Sequence, residues 1–281
     1  VLRRTVSNPG QRRGFGRFLL VPSALAAILL TGFYLWQPWE IQFLPRALPA
    51  ETRWTEPEPE RLFLPGVRVV VVTAHPDDAE FYIGGLLSRL AKSRAEVHLV
   101  ICTDGDKGYY PFEDVERNRA IRQREQRAAA AVWKAADVIF LGFPDGRLRE
   151  SEALVRAIER ELRRIRPAYL FCFDAEYPPR IAHQDHRRSG GAAEMAAKRA
   201  DFRGWLCRFS TSAPNFAFDV SDVWRAKMEL VAIHQSQFFG ERLNRIRAMI
   251  ERRDAEFGRL IGVVKAEGVR VSRYQPSTTS H

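Results

Sequence analysis

Cysteine is scarce: Cys102, Cys172 and Cys207 are the only three in 281 residues. An odd count without Cys-x-x-Cys spacing excludes a disulfide framework and a thiolate zinc finger. Cys102 and Cys172 fall in apolar, strand-like runs, where a thiol serves as a small hydrophobe. No internal repeat is visible. Also missing is the ribbon of basic and aromatic residues that grips nucleic acid. The net charge of +10 therefore needs another origin. Arg3, Arg4, Arg12, Arg13 and Arg17 supply half of it before the first acidic residue, Glu40. The remaining excess is spread over helix faces, so nucleic acid is not an expected partner. Hydrophobic content of 46% and charge of 28% are those of a globular protein long enough to bury a sizeable core.

Charge is absent from 18–36, a run of 19 residues that would cross about 30 Å of hydrocarbon as a helix. Arginines precede it and Glu40 follows. The positive-inside rule then keeps a basic tail, 1–17, in the cytoplasm, makes 18–36 a transmembrane signal anchor, and sends the rest out of the cytoplasm. A cleaved signal peptide is the competing reading, and Arg12-Arg13 resembles a twin-arginine signal. The long apolar run and the poor cleavage site at Leu48-Pro49-Ala50 favour the anchor. Pro38, Pro45, Pro49, Pro57, Pro59 and Pro65 make 37–66 an extended linker. A globular domain follows over 67–275, with a frayed tail at 276–281.

From Val67 the pattern alternates between strand and helix. The β-branched run from Val69 to Thr73 has the composition of a fully buried strand. Ile83, Leu86, Leu87 and Leu90 then repeat at helical spacing over 79–93. Strands are expected at 97–102, 138–141 and 168–173, with helices over 113–135 and from Leu154 to Ile165 between them. Such alternation specifies an α/β fold, a three-layer, Rossmann-like, doubly wound and mostly parallel sheet, preceded here by one transmembrane helix. Beyond Ala200 the signal blurs. Shorter strands at 205–210 and 216–220 and two further helices, around Met228 and Ile250, are expected.

The first strand stops in His75-Pro76-Asp77-Asp78, and the fourth is followed by His183-Gln184-Asp185-His186. In a parallel sheet every strand ends at the same rim, where such folds place their ligands, so the two clusters can converge. Imidazole with carboxylate suits a catalytic Zn2+ that keeps one position open. The bland alternative for each residue is helix capping or solvated polar surface. Arg122 could pair with Glu125 or Glu161 on a helix surface, Asp145 could shape a Pro-Asp-Gly turn, and His234 could be a hydrogen-bonded core histidine.

These two clusters, in this order, resemble the PIG-L/LmbE-like zinc deacetylases, which remove acetyl from N-acetylglucosamine conjugates. Thr103-Asp104-Gly105, Arg122-x-x-Glu125, Leu141-Gly142-Phe143-Pro144-Asp145-Gly146 and His234-x-Ser236-Gln237 support the resemblance, which covers about 68–237. It implies His75, Asp78 and His186 as metal ligands, with Zn2+ expected and another divalent ion such as Fe2+ the alternative. It implies Asp77 as the general base, His183 as the group that stabilises the oxyanion or protonates the leaving amine, and Asp185 as the residue that holds the His183 ring. Arg122 and Asp145 match positions near the sugar.

The implied activity is metal-dependent N-deacetylation of a small-molecule, lipid-linked or glycan-linked amino sugar at a membrane. The alternatives are an amidase of the same scaffold on a non-sugar amide, and a non-catalytic, membrane-tethered glycan-binding module. Family members often carry a tyrosine or other polar residue just before the second cluster. This chain has Pro178-Pro179-Arg180-Ile181-Ala182 there and its nearest tyrosine at Tyr177, so a different gating loop is expected. The pattern specifies no oligomeric state.

Overall fold

The structure, a computed structural model, describes residues 58–108, 114–176 and 183–274. The tail at 1–17, the anchor at 18–36 and most of the linker lie outside the described residues. Among the described residues no helix is long and apolar enough to cross a membrane.

A short helix, α1 (Glu58–Arg61), leads into seven strands and six further helices among the described residues. The strands are β1 (Arg68–Thr73), β2 (Glu96–Thr103), β3 (Asp137–Phe143), β4 (Tyr169–Phe173), β5 (Trp205–Phe209), β6 (Phe216–Asp219) and β7 (Ala266–Arg273). The helices are α2 (Asp78–Ser93), α3 (Val115–Val132), α4 (Glu152–Ile165), α5 (Gln184–Arg199), α6 (Trp224–Ile233) and α7 (Gly240–Ile261). The strands form one sheet in the order β3-β2-β1-β4-β5-β7-β6. β1 to β5 are parallel, and β7 runs antiparallel to both its neighbours.

Alternation along the strands builds a core on each face. Val69, Val71, Leu99, Ile101 and Phe171 face α2 and α6, whereas Val70, Val72, Val100, Leu170 and Cys172 face α4 and α5. Burial on both faces is why β1 reads as an unbroken apolar run. The order reverses between β1 and β4, and the carboxyl ends of strands at such a switch diverge into a crevice. The first His/Asp cluster follows β1 and the second follows β4. The fold therefore sets both clusters at the crevice mouth.

The sequence pattern predicts neither α5 nor β7. β7 inserts between β5 and β6, and its Glu267, although a carboxylate, points into the core and is only 1% exposed. Two features accept that charge. Helix α2 is kinked at Ile83 (φ −130°), and beyond the kink the N–H groups of Gly85 and Leu86 each donate to the Glu267 carboxylate at 2.8 Å. Lys227 Nζ lies 2.7 Å from Glu267 and 2.7 Å from Asp254, all three fully buried. One lysine thus ties α6, α7 and β7 together. Removing it leaves Glu267 buried without a counter-charge and Asp254 with Arg253 alone, which costs about 3–5 kcal/mol. Lys227→Met is expected to lower the thermal midpoint by roughly 10 °C, at about 2–4 °C per kcal/mol for a domain of this size. A calorimetric midpoint within a degree or two of the parent would refute this account of the triad.

Candidate active site

A cleft of about 460 Å3 opens at the carboxyl rim between β1 and β4. His75, Asp77, Asp78, Arg122, Asp145, His183 and His186 all line it. Phe81, Tyr82, Phe238, Ile246 and Met249 form an apolar stretch of wall, so one side of the cleft is polar and the other greasy.

The β1 end turns tightly into α2. Asp78 closes that turn: its Oδ2 accepts from the N–H groups of Ala74 (3.1 Å) and His75 (2.7 Å). Its Oδ1 lies 3.1 Å from His186 Nε2. Asp77 sits in the left-handed region (φ 106°, ψ −26°), a conformation that costs an L-residue free energy and persists only where neighbours enforce it. Two bonds enforce it here. The Asp77 N–H donates to Gln126 Oε1 at 2.9 Å, and the Asp77 carbonyl accepts from Phe81 N–H at 3.0 Å. The backbone twist turns adjacent carboxylates to different partners, Asp78 to the imidazoles and Asp77 to Arg122.

His183 caps α5, and its Nδ1 accepts the Asp185 N–H at 3.3 Å. A neutral ring whose Nδ1 is an acceptor carries its proton on Nε2. His186 follows one turn later, its ring stacked on Phe173 (centroids 4.0 Å apart, planes 11° apart) with Tyr82 edge-on. α5 comes this close to β4 through Gly190, where a Cβ would overlap the Phe173 carbonyl. The three imidazoles make a triangle, with centroids 4.8 Å (His75 to His183), 5.2 Å (His75 to His186) and 5.2 Å (His183 to His186) apart. Each offers a ring nitrogen within 4.8 Å of the others.

Asp185 does not hold the His183 ring with its carboxylate. That carboxylate accepts from the N–H groups of Gly146 (2.6 Å) and Leu148 (3.1 Å), and Oδ2 stands 3.4 Å from His75 Nε2. The first turn of α5 points the side chain at the β3–α4 loop, and only its backbone N–H meets His183. Asp145, at the start of that loop, places Oδ1 3.1 Å from His75 Nε2. Its Oδ2 accepts from Lys107 N–H at 3.2 Å.

Arg122 pairs with neither Glu125 nor Glu161. It reaches across the cleft floor and donates to Gly105 O (2.8 Å), Pro76 O (2.7 Å) and Asp77 Oδ2 (3.2 Å). Glu125 instead accepts from the N–H and hydroxyl of Ser236 at 2.8 and 2.6 Å. Marks that stand apart in the sequence are thus bonded to one another. His234 is buried, with Nε2 3.2 Å from Glu80 Oε2. Glu80 and Gln126 went unnoticed in the sequence. Glu80 accepts from Gln126 Nε2 (2.8 Å) and Trp133 Nε1 (2.7 Å), so a buried chain of polar groups runs from His234 to the Asp77 backbone. An acidic residue in a first helical turn and a glutamine mid-helix both read as ordinary solvated surface. Residues 177–182, where a different gating loop is expected, lie outside the described residues.

Proton affinities follow from this crowding. Burial pulls His75 down, but the Asp145, Asp185 and Asp78 carboxylates outweigh it and hold the ring well above its ordinary 6.5. Burial pushes Asp78 up, yet His186 and His75 bring it well below the usual carboxylate range. Asp145 is lowered to about 2, with burial opposed and outweighed by His75 and Arg122. Burial, then His75 and His186, lower His183 and favour its neutral form. Burial raises Asp77, and Arg122 offsets this only in part.

Residues 70–197 match the family model described as PIG-L: GlcNAc-PI de-N-acetylase. A diacetylchitobiose deacetylase of Thermococcus kodakarensis is 26% identical over 220 residues, covering 72% of this chain and 82% of that protein. A probable N-acetyl-alpha-D-glucosaminyl L-malate deacetylase 2 of Bacillus anthracis is 27% identical over 186 residues, covering 60% of this chain and 81% of that protein. Among solved structures, the N,N'-diacetylchitobiose deacetylase from Pyrococcus horikoshii, complexed with its inhibitor MPG, superposes with a TM-score of 0.70. It is 25% identical and covers 75% of this chain and 87% of its own.

Proposed function

The chain carries a PIG-L family domain, and from that premise we propose that it hydrolyses the N-acetyl amide of an N-acetylglucosamine-type conjugate, releasing acetate and a free amine. The observation that supports this most directly is the imidazole triangle of His75, His183 and His186, with Asp77 and Asp78 beside it at the crevice mouth.

The donor set fits a divalent cation. His75 Nε2 is buried without a hydrogen bond, although Asp145 Oδ1 stands 3.1 Å from it. Asp78 Oδ2 is taken by backbone N–H groups, which leaves Oδ1 facing His186. We assign His75, Asp78 and His186 as the residues that would hold the ion, with Zn2+ foremost and Fe2+ the alternative. Such an ion supplies Lewis acidity toward the acetyl oxygen and makes water more acidic.

The chain's own residues divide the proton work. Asp77 accepts the proton of the attacking water, and its raised proton affinity suits a base working near neutrality. Arg122 and Gln126 hold that carboxylate and its strained backbone in place. His183, protonated on Nε2 because Nδ1 accepts the Asp185 N–H, donates to the developing oxyanion or to the departing nitrogen. Asp185 steadies the 146–148 turn, and so the Asp145 beside it, which is placed to accept from a sugar hydroxyl. Arg122 is committed to three protein oxygens, so its part is to position Asp77 more than to grip the sugar. The apolar wall gives room to a conjugate beyond the sugar ring.

A panel separates this reading from its rivals. Free amine and acetate should appear from N-acetylglucosamine, its glycosides and diacetylchitobiose, but not from simple N-acylated alkylamines. Turnover of the alkylamines alone would move the activity to a non-sugar amidase. Binding of the sugars without acetate release would make the domain a binding module.

We also infer that 18–36 anchors the chain with its amino terminus in the cytoplasm and the catalytic domain outside. The five arginines before the uncharged run support this. A topology reporter fused after His281 should be active only outside the cytoplasm, and cytoplasmic activity would reverse the orientation.

A further inference from the structure

The rim opposite the cleft, where the parallel strands begin, carries a different chemistry. Among the described residues it exposes Arg61, Arg94, Lys134, Arg166, Arg203 and Arg273. The carboxylates there are fewer. Asp201 is paired with Arg203 at 3.0 Å and Asp137 with Arg164 at 3.1 Å, while Glu60 and Glu96 are exposed. The cleft rim is mixed, with Asp77, Asp78, Asp145 and Asp185 set against Lys107, Arg122 and Arg242.

Three of these cations sit where a side chain is disfavoured. Arg94 (φ 61°), Lys134 (φ 60°) and Arg166 (φ 52°) occupy the left-handed positions that follow α2, α3 and α4. Glycine is the usual occupant of such a position, since a Cβ is strained there. α7 ends toward the other rim, and its left-handed cap is Gly262 (φ 75°). Attraction to a helix carboxyl end favours cations in any last turn. It does not explain why three ends on one rim carry a cation at a left-handed position, while α7, ending toward the other rim, has glycine there and α6 has no left-handed cap. The fourth helix ending on this rim, α5, is followed by a left-handed Asp201, which Arg203 neutralises.

Between the cations the surface is apolar. Leu64 is 55% and Val132 62% exposed. A hollow of about 320 Å3 is lined by Leu64, Tyr169 and Trp205 with Arg61, Arg203 and Arg273, and the Arg273 guanidinium lies 5.3 Å from the Trp205 ring centroid. Cations around the exposed Leu64 and Val132, with Tyr169 and Trp205 buried beneath, suit a phospholipid surface, where phosphate meets the cations and the interface meets the aliphatic side chains. The chain also enters the fold at this rim, through α1 and Arg68, and only 37–57 separates α1 from the uncharged run at 18–36.

We propose that the amino-terminal rim of the sheet is a docking surface for an anionic phospholipid bilayer, which holds the catalytic cleft pointing away from the membrane. This rests on the membrane-anchor reading for the bilayer being close at hand. The six-residue β1 spans about 20 Å at 3.3 Å per residue, so the cleft stands at least that far from the headgroups. The domain then takes substrate from the aqueous side and not out of the bilayer beneath it.

The full chain reconstituted into nanodiscs of phosphatidylcholine, alone or with phosphatidylglycerol, tests this by amide hydrogen exchange. Peptides covering 61–68, 92–96, 164–169 and 200–205 should slow several-fold in the anionic discs only. The protection should vanish in high salt and in an Arg94→Asn, Arg166→Asn, Arg203→Gln variant, since asparagine tolerates the left-handed positions. An unchanged thermal midpoint would establish that the variant is folded. A chain inserted in both discs with equal exchange at this rim overturns the docking surface and keeps the anchor. A chain that stays off neutral discs but is protected by anionic ones removes the anchor and keeps the surface. Protection confined to 240–249 would put the cleft on the bilayer and reverse the orientation. Equal protection of the rim by an RNA homopolymer at the same salt overturns the assignment to lipid.

Discussion

Asp77→Asn is expected to lower kcat on an N-acetylated amino sugar by about 10²–10⁴-fold, the range for loss of a positioned general base. The same protein should keep its metal. The two results belong together because Asp77 and Asp78 are adjacent but differently engaged. Asp78 meets His186 and two backbone N–H groups, whereas Asp77 meets Arg122. An amide at position 77 can still accept from Arg122, so the turn should survive; it cannot take a proton. Arg122→Lys is the graded companion. It keeps the charge but cannot span Gly105, Pro76 and Asp77 at once, so it should reduce kcat less than Asp77→Asn does. Metal analysis alongside amine release reads both. Loss of metal in Asp77→Asn with proportionate loss of activity would make Asp77 a ligand. Activity at the parent rate would remove it from the reaction.

Much of this site is legible in the sequence because a parallel sheet is a strong constraint. β1 is buried on both faces, so it stands out as an apolar run, and whatever follows it lies on the ligand rim. The same holds for β4, which is why His75 and His186 could be brought together across more than a hundred residues. The reading failed where a local pattern is broken by a compensation elsewhere. α5 has Gly190 and Gly191 in its middle, which argues against a helix. The first of them is there so that α5 can press onto β4 and seat His186 against Phe173. β7 holds a glutamate and a glycine at positions that should be apolar, and Lys227 with the kink of α2 absorbs the glutamate. The resemblance implies that Asp185 holds the His183 ring. Its carboxylate instead serves the β3–α4 loop, a partner set by three-dimensional proximity alone.

Chelation should abolish turnover, and Zn2+ should restore it, with an affinity that climbs with pH. Without a cation His75 lies among Asp78, Asp145 and Asp185, and these raise its proton affinity well above 6.5 despite burial. For a group raised in the folded state, the stabilisation is complete below its unfolded value. It is lost as pH rises through the folded value. The metal-free domain should therefore lose thermal stability as pH climbs from 6.5 upward. The Asp145 interaction runs the other way, present above the ordinary carboxylate range and lost only as pH falls toward about 2. A metal ligand must be neutral imidazole, so binding expels the proton that His75 holds. Each proton expelled steepens affinity by up to about tenfold per pH unit within the window where His75 is protonated. Competition against a chelating dye at about pH 6, 7 and 8 measures that slope. It should flatten above the folded value, and the metal-loaded protein should lack the alkaline loss of stability. A slope of zero across the range would mean that His75 is not protonated in the metal-free cluster, or is not a ligand. His75→Ala divides these: it should remove both the slope and tight binding if His75 is a ligand, and leave tight binding intact if it is not.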